Sequence, residues 1–209
     1  MIKKFIAFTL SEVLMVAAIV GVIAALTVPN LKKSHDDKAM VAKGKSAMAK
    51  LDAAIQQVNM ADVLSKNTTN DASLELLNQM ADYLKLLSNC GKITSNNYCF
   101  TKNTITNGST LNSYSNHTEN SKCSSAILND GTEFAVCIVS KTPVTESTAF
   151  SNNQKFYGYI VADVNGANQE PNTRARDVYY YLITENGSLA IPDGTSQTSY
   201  EMKTFKEGF

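Results

Sequence analysis

Few side chains in this 209-residue chain have the type and spacing to do chemistry. Glu12 is one carboxylate at the head of a run, residues 13–28 (VLMVAAIVGVIAALTV), that has no charge and no strongly polar group. In a spanning helix such a carboxylate costs about 1–3 kcal/mol unless it is neutralised or paired, so something should compensate it. Cys90, Cys99, Cys123 and Cys137 include no Cys-x-x-Cys, which argues against a redox or zinc site. They fit disulfides in a domain exported to an oxidising space. Asp163, Asn165 and Asn168 offer the hard oxygen ligands that calcium takes, but their spacing is not that of an EF-hand. An Asx-type turn between two strands is the simpler reading of that segment. Asp163 and Asp177 can be imagined as an acid/base pair, though strand-end carboxylates are mostly structural. His35 lies in a charged stretch and His117 in a polar one, and no Gly-x-Ser-x-Gly, His-Glu-x-x-His or phosphate loop occurs. The chain is therefore not expected to be an enzyme or to need a cofactor.

Charge and composition narrow the classes further. Nineteen basic and 19 acidic side chains give a formal net charge of zero, without the basic excess that nucleic-acid binding requires. A hydrophobic fraction of 44% is enough for a core and excludes wholesale disorder.

The elements around Glu12 come next. With small hydroxyl residues and Glu12 as the sole interruptions, the apolar run extends from position 8 to 29, long enough to cross a hydrocarbon core at about 1.5 Å per residue. In front of it, MIKKFIA carries Lys3 and Lys4, which fix this leader on the cytoplasmic side. A cleaved secretory signal would need an A-x-A-like site after the run. Ala24 and Ala25 followed by Leu26, Thr27, Val28 and Pro29 make a poor one.

Ala7-Phe8-Thr9-Leu10-Ser11-Glu12 resembles the cleavage and methylation signature of type IV prepilins and type II secretion pseudopilins. Gly21 and Pro29 fall where that family often carries a helix-softening Gly and Pro; Ala7 departs from the commoner Gly before the cut. The likeness covers about the first 30 residues. It implies that a prepilin peptidase cuts between Ala7 and Phe8, and that the new Phe8 amine is methylated. The apolar helix would stay on the mature protein. Such a cut removes two of the 19 basic side chains and none of the acidic ones. Glu12 then lies four residues along, on the face of Phe8. In a filament it would pair with the Phe8 ammonium of a neighbouring subunit, each charge offsetting the other's burial. A local alternative is an acid favoured by the helix macrodipole. The partners implied are the peptidase, like subunits and other pilins or pseudopilins, the inner-membrane assembly platform and membrane lipid. The location implied is a single pass through the bacterial inner membrane with an extracytoplasmic head, and a periplasmic or cell-surface filament after assembly.

Beyond Pro29 the pattern becomes one-sided. Met40/Val41, Gly44, Met48, Leu51, Ile55, Val58 and Asp62 recur every three or four residues, so one stripe faces a core. The expected helix, from about 8 to 65, is roughly 58 residues or ~87 Å long, with a kink at Pro29. Gly21 and Pro29 could let it melt locally during filament packing. The expected organisation is a leader over 1–7, a transmembrane and assembly helix over 8–29, its amphipathic continuation over 30–65 and a globular head over 66–209.

In the head, Ser73 is expected to cap a second helix over 74–88, with Leu74, Leu77, Tyr83/Leu84 and Leu87 as its apolar stripe and Gly91 past its end. From 94 to 121, 18 of 28 residues are Ser, Thr or Asn, which marks a long surface region, with a short strand near 98–100. Ala126, Leu128, Phe134, Val136 and Ile138 then form one face of a hairpin around Asn129-Asp130-Gly131. Further strands are expected at 156–163, 177–184 and 189–191. Together these make an α+β fold, a long N-terminal helix packed on a small antiparallel sheet, the pilin-like arrangement of the family resembled. Four cysteines allow three pairings. Nearest neighbours would join Cys90 to Cys99 and Cys123 to Cys137, and a three-residue hairpin loop sets Cys123 opposite Cys137. The function implied is a filament subunit of a secretion pseudopilus or pilus. The alternative is a membrane-anchored binding module that does not polymerise, with calcium the one conceivable ion.

Overall fold

The structure is a computed structural model and describes residues 9–93, 99, 123–144, 155–166, 169 and 177–191; the side chains at 29, 30, 33 and 34 are not among those described. The chain divides into two compact units, Met1–Ala39 and Met40–Phe209. The fold is α+β, an N-terminal apolar helix and a six-stranded antiparallel sheet.

Helix α1 (Leu10–Ile55) has 46 residues and is assigned without a break through Gly21 and position 29. Its part in the first unit carries Leu10–Val28, 19 residues of mean hydropathy 2.3, none of them buried. In the second unit the same helix turns amphipathic. Gly44, Ala47, Leu51, Ala54 and Ile55 are buried, and Met40, Val41 and Met48 flank them, so the expected stripe is present and two alanines complete it.

The helix does not run to Ser65. It stops at Ile55, and a separate α2 (Met60–Ser65) begins after Asn59, whose side chain accepts from the Asp62 amide at 3.4 Å. The Asn59 amide is held by Gln79 Oε1 at 3.0 Å, which satisfies a donor that would be orphaned at the new helix start. Helix α3 (Thr69–Ala81) also begins earlier than expected. Thr68, not Ser73, is its N-cap, its Oγ1 accepting from the Asp71 amide at 3.1 Å.

The expected helix ends early: α3 stops at Ala81, and a turn over 82–85 leads into a strand. β1 (Leu86–Lys92) pairs antiparallel with β2 (Cys123–Leu128), leaving Leu87 69% exposed, and Tyr83, in the turn before it, is 58% exposed, where a helical stripe would have buried both. Long-range pairing overrides local propensity here. Gly91 sits at a register shift in β1 with φ 65°, and Asn89 Oδ1 accepts its amide at 3.0 Å, so its role is a bulge rather than a helix stop.

The remaining strands follow the expectation closely. β3 (Glu133–Ile138), β4 (Phe156–Asp163), β5 (Val178–Thr184) and β6 (Leu189–Ala190) add in sequence order to an antiparallel meander, β1 to β6. Asn129-Asp130-Gly131 is the three-residue loop between β2 and β3. The Leu128 amide donates to the Thr132 carbonyl at 2.8 Å, and Gly131 takes φ 85°. One sheet face, with Ala126, Leu128, Phe134, Val136 and Ile138, packs in a single core with α1, α2 and α3. The opposite face buries a second cluster that includes Cys123, Cys137, Tyr159 and Tyr180.

Candidate functional site

Glu12 is compensated within its own chain. Its Oε2 accepts from the Thr9 amide and from Thr9 Oγ1, each at 2.8 Å, while the Glu12 amide donates back to Thr9 Oγ1 at 3.3 Å. This is a capping box. It satisfies free donors at the first turn of α1 and places a negative charge beside the positive end of the helix dipole. The Thr-x-x-Glu spacing that announces it stands in the sequence. Ala7 and Phe8 lie outside the described residues, as does any pairing of Glu12 with the Phe8 amine.

The helix behind Glu12 meets little. An added Cβ at Gly21 would find no atom within 4 Å. Thr27 returns its hydroxyl to the Ile23 carbonyl at 2.9 Å, which hides its polarity within the helix. Residue 29 is in α1, with its side chain outside the description.

Asp163 and Asn165 form a turn. Asp163 Oδ1 accepts from the amides of Asn165 at 3.2 Å and Gly166 at 3.1 Å, with Gly166 at φ 86°. Asn165 Nδ2 donates to Asp177 Oδ2 at 3.0 Å, so Asn165 joins the two aspartates imagined as an acid/base pair. Asn168 lies outside the described residues. Glu133 is the cross-strand partner of Asp163, which brings three buried carboxylates to neighbouring strand ends. Asp163 Oδ2 and Asn165 Oδ1 are buried without a hydrogen-bond partner. Burial pushes the Asp163 carboxyl up to about 7; the nearby Asp177 and Glu133 charges push the same way, against the two amides that favour its ionised form. Among the described residues no group of three or more His, Cys, Asp or Glu side chains is arranged to hold a metal ion.

Both nearest-neighbour disulfides are formed. Cys90 and Cys99 have Cα atoms 5.8 Å apart, and Cys123 and Cys137 4.2 Å apart. The Cys123–Cys137 register is the one that the hairpin loop predicts. The Leu128 amide donates to the Thr132 carbonyl across the turn, and counting back in alternation from that hydrogen-bonded position makes Cys123–Cys137 a non-hydrogen-bonded pair, the closer kind. His35 is exposed on α1, while His117 lies outside the description. No protein family, no curated protein and no solved structure matches the chain.

Proposed function

We propose that this chain is a structural subunit of a type II secretion pseudopilus or a type IV pilus-like filament, anchored by residues 8–29 in the bacterial inner membrane until it assembles. The observation that carries the reading is the helical segment Leu10–Val28, none of it buried, whose first three residues complete Ala7-Phe8-Thr9-Leu10-Ser11-Glu12. An uncovered, predominantly apolar stretch of 19 residues needs lipid, or the same helix of other copies, as its solvent. A helix kept after processing can exchange the first for the second. In this account prepilin peptidase acts before Phe8, and the assembly platform passes the subunit to like subunits and other pilins. The disulfide-locked head stays on the extracytoplasmic side, and no catalytic step is assigned to it.

One observation favours a second reading, an anchored binding module that never polymerises. Thr9 already satisfies the Glu12 carboxylate inside a single chain, so a neighbour's amine is not required to offset it.

Assembly of Glu12→Ala in cells separates the two. The filament reading predicts normal membrane insertion and a large fall in the sheared, sedimentable filament fraction. Equal incorporation of wild type and variant removes the pairing role, and absence of wild-type chain from any filament favours the anchored module.

A further inference from the structure

Charge is layered just beyond the apolar span. Leu31 is 63% exposed and prolongs the apolar surface. The next two residues are Lys32 and Lys33; one turn on come Asp36 and Asp37, which follow the lysines at i+4. Lys32, His35, Asp36 and Lys38 are exposed. At 1.5 Å per residue Lys32 lies about 6 Å along the helix from Val28, and Asp36 about 12 Å. The headgroup layer on each side of a bilayer is roughly 5–8 Å thick. The lysines therefore fall at lipid phosphates, and the aspartates in the water just outside.

We propose that Lys32 and Lys33 clamp the phosphates of anionic phospholipids in the leaflet where the span ends, and that Asp36 and Asp37 limit how deep the helix can sink. Sliding inward by one turn, about 5.4 Å, would set both aspartates among the phosphates. Sliding outward would lift both lysines away from them and expose apolar helix to water. The long stem of Lys32 can lie along Leu31 and the end of the span while its ammonium group reaches the headgroups. Continuity with the span selects lipid over an acidic protein as the partner. The inference rests on the membrane reading of Leu10–Val28 and is independent of polymerisation.

The test is native mass spectrometry of the full chain in detergent micelles doped equally with phosphatidylglycerol and phosphatidylcholine. The wild type should retain phosphatidylglycerol preferentially. Lys32→Gln with Lys33→Gln should reduce that preference about tenfold, while Lys43→Gln with Lys45→Gln leaves it in place. Equal retention of both lipids by the wild type overturns the clamp. So does a preference that survives in Lys32→Gln/Lys33→Gln, or one lost to the same extent in Lys43→Gln/Lys45→Gln. Retention of neither lipid overturns the clamp together with the membrane reading, whereas failure to form filaments touches neither.

Discussion

The buried hydroxyl of Tyr181 on β5 donates to the main-chain carbonyl of Gly44 on α1 at 2.9 Å. Its neighbour Tyr179 fills the space that a side chain at position 44 would need, because a Cβ there would lie 2.5 Å from Tyr179 Cε2. Glycine lets α1 approach β5 closely enough for the Tyr181 bond. Burial, with the nearby Tyr179, raises the Tyr181 hydroxyl pKa well above its usual value, so it remains a donor throughout the physiological range.

Gly44→Ala should therefore destabilise the protein even though alanine is the better helix former. Overpacking costs about 1–3 kcal/mol, and three Tyr179 ring atoms within 2.8 Å of the added Cβ put this case at the upper end, above the propensity gain of about 1 kcal/mol. Tyr181→Phe should lose about 1 kcal/mol, the typical net value of one hydrogen bond. Urea unfolding of the full chain in detergent measures both, and a Gly44→Ala protein as stable as wild type would refute the close approach.

Asp163 predicts a pH dependence. Its folded pKa, near 7, is raised from an ordinary value of 3.8, so the folded chain holds that proton more tightly than the unfolded chain. The stability this gives is fully present below about pH 4, is lost as pH rises through 7, and is flat above. Asp163→Asn keeps an oxygen for the two turn amides and removes the titration. It should flatten the stability profile between pH 4 and 7 and raise stability at pH 8 by roughly 2–4 kcal/mol. An unchanged profile would show that Asp163 ionises normally.

Ser73 ties α3 to the sheet. Its Oγ accepts the Ile138 amide at 2.8 Å in a buried position and donates to the Thr69 carbonyl at 3.0 Å. Ser73→Ala should cost about 1–3 kcal/mol because it strands that amide. A loss below about 0.5 kcal/mol in the same urea assay would imply that the amide finds another acceptor.

The Cys123–Cys137 bond closes a loop with a sequence separation of 14. Replacing both cysteines with alanine should lower stability by about 3 kcal/mol. Peptide mapping without reductant should recover residues 123 and 137 on one linked fragment; free thiols there would contradict the pairing.

The parts of this fold that were legible before folding are those set by short-range physics. A three-residue turn with Gly131 at positive φ fixes the β2–β3 register, and with it the position of Cys123 opposite Cys137. The stripe from Gly44 to Ile55 follows from helix period alone. Residues 86–92 misled because Leu84 and Leu87 continue the spacing of α3, and only the distant β2 decides that this stretch extends as a strand. Ser73 stands nearer the first leucine of the stripe than the true cap Thr68 does, although Thr68 and Asp71 share the spacing of Thr9 and Glu12. The carboxylate cluster joins residues 133, 163 and 177 through strand pairing, which no local pattern announces. In the N-terminal segment one short stretch carries two patterns at once, the processing motif and the Thr9-to-Glu12 spacing of a capping box.

The central claim is that the apolar helix survives maturation in a chain whose first residue is Phe8. Intact-mass measurement with amino-terminal sequencing of the protein purified from its native membrane tests it most directly. The account predicts a chain that lacks its first seven residues and starts at N-methylated Phe8. A chain starting at Met1, or one cut after Ala25, would contradict it.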